Sequence, residues 1–324
     1  MADAMAQAKY GDRLGKARGM LLGSRARRGI LPAALVYIVL AGLGFVFILP
    51  VLRMVASSLM TPADQVDPKV IWVPTELYWR NIASAFRVLS YGEGFFVSVM
   101  LSVVPALLQT LCTACAGYAF ARYAFPLKRL WLAMVLLFYL IPAQVLTVPR
   151  YILFLGYGIV NTPWAIYLPA IFGQGLKSSI FVLIFYQFFH GYPKSLDEAA
   201  ELDGCGRFKI FWRIALPMSG PALVVSVLFS VVWYWNETAQ TALFLGKSGA
   251  SRLFGVGVST LQTLPLRVAT FAQRFAAEMG ASTRLADAVS LAGALLAVAP
   301  MLALYLVLQK RFIESVERSG ITGE

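Results

Sequence analysis

The sequence predicts an all-α, polytopic membrane protein with six transmembrane helices. Of its 324 residues, 59% are hydrophobic and only 14% are charged, and the mean hydropathy is +0.71. A soluble globular domain is about 45–50% apolar and about 25% charged. The additional apolar residues are collected in runs long enough to cross a bilayer, which takes about 20 residues of helix.

The six predicted spans follow one another along most of the chain. The first two contain no charged residue, the fourth is interrupted by Lys177, and the sixth has Asp287 near its start. Pro163 suits the first turn of the fourth helix, where a missing N–H costs nothing. The spans are residues 30–52, 95–121, 130–149, 163–189, 216–236 and 286–308.

Prolines and small residues in these runs indicate helices that pack against one another. In lipid, neighbouring helices or polar side chains must satisfy the backbone groups that a proline leaves free, and small side chains let helices approach closely. The prolines within or near the runs are Pro105, Pro142, Pro169, Pro221 and Pro300, and the small residues are Gly42, Gly44, Ala114, Gly117, Ala292 and Gly293.

Basic residues predict the orientation. Six spans place both termini on one side, and that side holds more than half of the 28 Lys and Arg residues. Such residues favour the cytoplasmic side, so we expect a basic cytoplasmic tail at 1–29, a transmembrane domain at 30–308 and a cytoplasmic tail at 309–324. The first apolar run exceeds the 7–15 or so residues of a signal-peptide core, which predicts an uncleaved span. The net charge of +12 reflects this topology and gives no case for nucleic acid binding.

A charged cytoplasmic loop, residues 195–217, is predicted to form two short helices joined by a glycine turn. Ser195 and Glu198 match a capping box, and Gly204 suits the left-handed residue that ends a helix. Pro217 is expected to close the element where the chain re-enters the membrane. The second helix is predicted to have one apolar face with i, i+3, i+4, i+7 spacing. That face consists of Phe208, Phe211, Trp212 and Ala215.

The same loop carries a resemblance to a known family. Its sequence Glu198-Ala199-Ala200, then Asp203-Gly204, then Ile214-x-Leu216-Pro217 resembles the EAA loop of importer-type ABC transporter permeases. The stretch Trp233-Tyr234-Trp235-Asn236-Glu237 is similar to a motif of the carbohydrate-uptake permeases. The likeness covers roughly residues 30–320 and is greatest to the six-helix, maltose-type permease. It implies the type I importer permease fold in a bacterial cytoplasmic (inner) membrane.

The resemblance also implies a mechanism of alternating access. In this family the EAA loop supplies a coupling helix that docks on a cytoplasmic ATPase subunit, and the residue at the Glu198 position pairs with a basic residue of that ATPase. The complete importer has a second, different permease subunit, two ATPase subunits and an extracytoplasmic solute-binding protein, which delivers a sugar to the outer loops. The expected ATPase-coupling residues are Glu198, Ala199, Ala200, Leu202, Asp203 and Gly204.

The sequence contains no nucleotide-binding motif of its own. The phosphate-binding pattern G-x-x-x-x-G-K-[ST] is absent from the sequence, so ATP and Mg²⁺ are expected to be bound by the partner ATPase, and the chain is expected to be non-catalytic. One His and three Cys argue against a conventional zinc site. Cys112-x-x-Cys115 lies in an apolar span, where small thiols usually pack. No catalytic, cofactor-binding or metal residue is therefore predicted.

Strongly polar groups at membrane depth mark the expected substrate path, because they are costly there unless they face a cavity. Lys177 is the first candidate, and its alternative is a side chain that extends to the membrane surface or bonds to a neighbouring helix. With Arg150 at the outer mouth, Lys177 would suit an acidic sugar. The predicted path residues are Lys177, Gln144, Asn236, Glu237, Tyr151 and Trp233.

Three other functions are alternatives to that of a sugar importer. An ABC permease for glycerol phosphates, peptides or another polar solute is compatible with the loop. A secondary transporter would need an intramembrane ion site and often shows repeated halves, but only Glu237 and Asp287 come near the membrane, and both are at span ends. An integral membrane enzyme would need a convergent set of acids, bases or metal ligands, and none is visible.

Overall fold

The structure, a computed structural model, describes residues 23–24, 27–246, 249, 251–279 and 286–321. The chain divides into two compact units, one ending at Leu77 and one beginning at Tyr78. Most of the predicted N-terminal tail and the last three residues of the predicted C-terminal tail lie outside the described residues.

The first unit consists of a small hairpin, a long helix and a loop. Strands β1 (Gly23–Ser24) and β2 (Arg27–Arg28) pair antiparallel. Helix α1 (Ile30–Ser58) begins at the first residue of the first predicted span and extends beyond its end. Most of its large apolar side chains are exposed, as expected for a helix surrounded by lipid.

The loop after α1 is organised by one carboxylate. Asp64 accepts hydrogen bonds from the Thr75 hydroxyl at 2.6 Å and from the backbone N–H groups of Thr61 at 3.1 Å and Thr75 at 3.3 Å. The bond from the Thr75 side chain is the main cause of a lowered pKa for Asp64. The carboxylate is therefore ionised at neutral pH and holds the two ends of the loop together.

The second unit is a set of helices with a hairpin, in which β3 (Ser251–Leu253) pairs antiparallel with β4 (Val256–Val258). Its helices are α2 (Arg80–Val88), α3 (Tyr91–Arg122), α4 (Lys128–Leu140), α5 (Ala143–Gly156), α6 (Trp164–Ile171), α7 (Ser178–Gly191), α8 (Lys194–Leu202), α9 (Arg207–Met218, with a π-helical turn at Phe211–Ala215), α10 (Gly220–Asn236), α11 (Ala239–Leu245), α12 (Leu264–Ala269), α13 (Phe271–Met279) and α14 (Ala286–Ile321).

Helix α3 is the centre of this unit and packs against α6, α7 and α10. Its closest approach is to α7 at Gly117, where an added Cβ would lie 2.5 Å from the Phe185 Cβ and 2.8 Å from the Tyr186 backbone nitrogen. Ala114, one turn earlier, is fully buried. The predicted packing role of these two small residues is confirmed.

Small residues elsewhere give a mixed result. Ala292 is buried, and a Cβ at Gly293 would meet the Phe271 ring at 3.1 Å, so both lie at a helix contact as predicted. A Cβ at Gly42 or Gly44 would meet no atom within 4 Å. Both glycines belong to the first unit, and close packing of a helix against them stays a prediction.

Three of the six predicted spans are continuous helices: α1, α3 and the part of α14 from Asp287 to Lys310. The third is a pair, α4 and α5, bent by 99°. The bend falls at Ile141, whose backbone is extended, as favoured for a residue that precedes proline. The fifth predicted span, 216–236, begins with the last three residues of α9 and continues as α10, and these two helices are bent by 79° beside Ser219 and Pro221.

The fourth predicted span, 163–189, is wrong as a single helix. It consists of α6 and α7, separated by residues 172–177. Gly173 and Lys177 both have a positive φ, +65° and +51°, a conformation that ends a right-handed helix. The left-handed backbone at these two residues interrupts the helix, and the charge of Lys177 is not needed to explain the break.

We predict that Gly117→Ala destabilises the protein, whereas Gly92→Ala in the same helix does not. The Cβ at position 117 would overlap the backbone of α7, and overpacking costs about 1–3 kcal/mol. A Cβ at position 92 would meet no atom within 4 Å, and alanine is the better helix former by about 1 kcal/mol. Thermal unfolding of the purified variants in detergent checks this. Equal midpoints for the two variants would show that α3 and α7 are not so close.

Candidate coupling surface and substrate path

The first helix of the charged loop, α8, begins differently from the prediction. Pro193 occupies the N-cap, and no side chain caps the helix. An N-cap residue has a non-helical backbone, but Ser195 already lies inside the helix. The predicted capping box of Ser195 and Glu198 is therefore wrong, and the Glu198 side chain is exposed.

The turn after α8 agrees with the prediction. Gly204 has a φ of +75°, and the Cys205 N–H donates to the Ala200 carbonyl at 2.9 Å. This 6→1 hydrogen bond with a left-handed residue is the Schellman arrangement. A residue with a side chain would be strained here, so glycine fixes the angle at which the chain leaves α8.

The predicted coupling residues form a mostly exposed surface around this turn. Glu198, Ala199, Asp203 and Gly204 are exposed, and Leu202 is 89% exposed. Ala200 is the exception because it is buried and cannot contribute its side chain to a docking surface.

The second helix, α9, presents only part of its predicted apolar face inward. Phe211 and Ala215 are buried, whereas Phe208 is 75% exposed and Trp212 is also exposed. The turn from Phe211 to Ala215 is π-helical, so a face with a period of 3.6 residues does not continue through it. The predicted stop at Pro217 is wrong as well, since the helix continues to Met218 and bends at Ser219.

An ion pair connects the charged loop 195–217 to the end of α3. The Arg122 Nε lies 3.2 Å from the Asp197 Oδ2, and the two side chains are only 6% and 16% exposed. The Tyr118 hydroxyl donates to the same carboxylate oxygen at 3.3 Å. The guanidinium of Arg122 lies 4.6 Å from the centre of the Tyr192 ring. Burial, followed by the charge of Asp197, raises the pKa of Tyr192 to about 12.

This cluster was not predicted as a site. The sequence places Arg122 in a cytoplasmic turn and Asp197 in the first turn of a helix, and each has an ordinary explanation there. Their separation along the chain gives no periodic pattern. Arg122 precedes Tyr123 in the sequence, but Asp197 has no aromatic neighbour along the chain that could have marked the contact.

The break between α6 and α7 is held by polar side chains from two other helices. Gln109 of α3 donates to the Leu176 carbonyl at 2.9 Å and to the Ser230 hydroxyl at 3.0 Å. The Tyr234 hydroxyl of α10 donates to the Gln109 Oε1 at 2.8 Å and accepts from the Leu176 N–H at 3.2 Å. A Cβ at Gly175 would lie 2.0 Å from Gln109, so only glycine fits between these groups.

Two predicted path residues meet beside this break. The Nζ of Lys177 lies 4.6 Å from the centre of the Trp233 ring, a cation–π contact. Lys177 is exposed and Trp233 is half-buried. The contact fixes an ammonium group and an aromatic face next to each other at a helix break, the kind of place where irregular backbone lines a cavity in membrane proteins.

The other predicted path residues have local surroundings of their own. Asn236 donates to the Val232 carbonyl of its own helix at 2.9 Å, and Glu237 accepts from the Gln240 N–H at 2.8 Å, at the start of α11. Tyr151 stacks on Phe244 with ring centres 6.3 Å apart, and Gln144 is exposed. Their place on a substrate path stays a prediction.

The predicted outer loop is anchored to the other end of α3. Arg267 is fully buried. Its Nη2 donates to the Glu93 Oε1 at 3.0 Å, and its Nη1 donates to the Leu89 carbonyl at 2.8 Å. Glu93 also accepts from the Ser259 hydroxyl at 2.7 Å. Burial lowers the pKa of Arg267, but a guanidinium remains charged at any ordinary pH. The loop is thus fixed to α3 by a charged contact.

Comparison with known proteins identifies the family. Residues 113–318 match the model of the family described as "Binding-protein-dependent transport system inner membrane component". The chain belongs to this family. The matched range includes the break after α6, the charged loop 195–217 and the spans that follow. The predicted resemblance to ABC importer permeases of the carbohydrate-uptake kind is confirmed, and the chain is a multi-pass inner-membrane subunit of such a transport system.

Individual relatives agree over most of their length. A probable ABC transporter permease, YurM of Bacillus subtilis, is 28% identical over 85% of this chain and 83% of its own. The arabinooligosaccharides transport permease AraQ of Halalkalibacterium halodurans is 27% identical over 87% and 94%. The maltodextrin transport permease MalD of Streptococcus pneumoniae is 26% identical over 90% and 96%.

A solved structure supports the fold of this permease family. It is a chain of a bacterial ABC transporter involved in the import of the acidic polysaccharide alginate, with 17% identity and a TM-score of 0.65. The match covers 89% of this chain and 98% of that chain. The predicted type I importer permease fold is confirmed.

We predict that Tyr234→Phe destabilises the permease, while Tyr305→Phe, at an exposed tyrosine of α14, does not. Removal of the Tyr234 hydroxyl leaves the Gln109 oxygen and the Leu176 N–H without this partner in the interior, and each such group costs about 1–3 kcal/mol. Thermal unfolding in detergent measures the difference. An unchanged midpoint for Tyr234→Phe would mean that another group satisfies the break.

Proposed function

We propose that this chain forms half of the transmembrane path for a sugar or oligosaccharide in a binding-protein-dependent ABC importer and couples to a separate ATPase through the loop 195–217. The observation that carries the coupling part is the exposed apolar surface at the Gly204 turn. Leu202 is 89% exposed and Phe208 is 75% exposed, on either side of that turn.

These exposures favour docking of a protein partner. Burial of one leucine or phenylalanine stabilises a complex by about 1.5–3 kcal/mol relative to exposure, and clustered exposed apolar residues mark interaction sites. Glu198 and Asp203 add two exposed acids to the same surface. The partner surface should therefore be an apolar cleft with basic residues at its rim, which is the character that the family resemblance implies for the ATPase.

The orientation of the chain in the membrane and the site of ATP binding follow from the same proposal. The coupling loop and both termini are cytoplasmic, in agreement with the distribution of basic residues. ATP and Mg²⁺ are bound by the two ATPase subunits, since this sequence contains no phosphate-binding motif of the Walker type. Closure of the two ATPases moves the coupling loop, residues 195–217, and thereby opens the path outward. Hydrolysis of ATP then returns the transporter to its starting state. A second, different permease and an external binding protein complete the assembly.

The sugar assignment rests on the relatives and on the chemistry of the path. Two of the similar permeases are named for arabinooligosaccharides and maltodextrin. Trp233 is half-buried and lies under the Lys177 ammonium group, so the pair places an aromatic ring and a cation at the same point of the proposed path, and both groups suit a sugar that carries an acid. Lys177 beside it would pair with the carboxylate of an acidic sugar. Glycerol phosphates and peptides are the alternative solutes, and uptake of labelled forms of each would identify them.

We predict that Glu198→Lys weakens binding of the ATPase subunit, whereas Glu76→Lys, at an exposed glutamate of the predicted outer loop, does not. The substitution replaces attraction by repulsion at a surface expected to face basic residues. Copurification of the ATPase with the membrane-inserted permease measures the loss. Reversal of the facing basic residue on the ATPase should restore binding. Unchanged copurification together with unchanged solute-stimulated hydrolysis would contradict the docking assignment.

We predict that Lys177→Met lowers uptake of an acidic oligosaccharide at least about tenfold and leaves a neutral one nearly unchanged, because a hydrogen bond to a charged group contributes about 1.5–3 kcal/mol. Lys69→Met, at an exposed lysine of the first unit, is the matched control. Uptake of labelled sugars into vesicles with the complete importer gives the result. Equal uptake of both sugars by parent and variant would remove Lys177 from the path.

A further inference from the structure

The ion pair of Arg122 and Asp197 lies where four helices meet. Arg122 ends α3, Asp197 belongs to α8, and the ring of Phe211 in α9 lies 5.3 Å from that of Tyr118. The ring of Phe189, near the end of α7, lies 5.2 Å from the same tyrosine. The carboxylate of Asp197 thus enters an aromatic pocket at the inner end of the bundle.

Helix α8 has few other attachments to the interior. Among the described residues of α8, Ala200 is the one classified as buried, and most of the helix faces outward. A force applied to the exposed side of α8 must therefore pass into the bundle through a small number of contacts. Asp197 supplies a charged contact that is nearly removed from water, and such a pair resists separation because each charge would be left buried alone.

The receiving helix reaches the predicted substrate path. Arg122 and Gln109 lie on the same continuous helix, and at about 1.5 Å per residue they are roughly 20 Å apart along it. Gln109 binds the backbone of Leu176, which precedes Lys177. One rigid element therefore connects the coupling loop at one point to the helix break at another.

We propose that Arg122 and Asp197 form the joint through which movement of the coupling loop is transmitted to α3 and hence to the substrate path. The inference rests on the proposed docking of an ATPase, but it assigns these two residues a different role from docking. Both are positioning residues. Loss of the joint uncouples hydrolysis from transport while the ATPase stays bound.

The test is the amount of ATP hydrolysed per solute transported, measured with the complete importer in proteoliposomes. Asp197→Asn keeps the shape and removes the charge, and we expect this ratio to rise at least fivefold while ATPase copurification is retained. Glu201→Gln makes the same chemical change at an exposed position of the same helix and should leave the ratio unchanged. Asp197→Glu, which keeps the charge, should restore part of the coupling.

Each outcome decides between the alternatives. An unchanged ratio in a folded Asp197→Asn complex would overturn the proposal, since the pair would then serve stability alone. Loss of the ATPase from that variant would also overturn it, because Asp197 would then belong to the docking surface. If Glu198→Lys retains the ATPase while Asp197→Asn raises the ratio, Glu198 is removed from the docking surface, and the joint stands because the ATPase still moves the loop.

A second variant covers the case in which Asp197→Asn does not fold. Arg122→Met combined with Asp197→Leu replaces a buried ion pair by apolar groups, an exchange that is often neutral or stabilising. We expect this double variant to assemble with the ATPase and to show the raised ratio. Normal coupling in the double variant would show that packing alone transmits the movement, and would refute a role for the charges.

Discussion

The structure of this permease depends on one constraint: backbone N–H and C=O groups within a bilayer must find partners inside the protein. Continuous helices meet it unaided, as in α3. Wherever a span breaks, other groups must replace the lost hydrogen bonds. At the break after α6 this is done by Gln109 and Tyr234, from two different helices. At the bend beside Ser219, the serine hydroxyl donates to the Leu216 carbonyl at 2.7 Å.

This constraint also explains how much of the fold could be predicted. The length and composition of the apolar runs predict the positions of the spans, because the thickness and apolar character of the bilayer determine both properties of a run. The break at 172–177 could not be predicted in the same way, since its partners are contributed by Gln109 and Tyr234, far away in the sequence. Bends beside Pro142 and Pro221 had a local signal, but their size depends on the surrounding helices.

The same distinction between local and tertiary causes applies to the predictions for the candidate site. Gly204 was predicted to be left-handed from its neighbours alone, and the structure agrees. The capping box failed because Pro193 starts the helix earlier, although the box was present in the sequence. The prediction of one apolar face on α9 was wrong because a π-helical turn changes the helical period. No residue in the sequence indicates such a turn. The contact of Arg122 with Asp197 is a tertiary event that local patterns do not encode.

The two ends of α3 show similar chemistry with different consequences. At the predicted outer end, Glu93 and a fully buried Arg267 fix a long loop to the helix through several hydrogen bonds. At the predicted inner end, a single carboxylate enters an aromatic pocket from a helix that is otherwise mostly exposed. The first arrangement suits a rigid platform, and the second suits a connection between parts that move together.

The exposure of Leu202 and Phe208 has a consequence for how cells make this subunit. Under the proposed docking, these two large apolar side chains stay uncovered until the ATPase binds, and such surfaces attract other exposed apolar surfaces. A chain made without its partner is therefore at risk of aggregation and of removal by the proteases that recognise unassembled subunits. Synthesis of the permease together with the proposed ATPase would keep this exposure short.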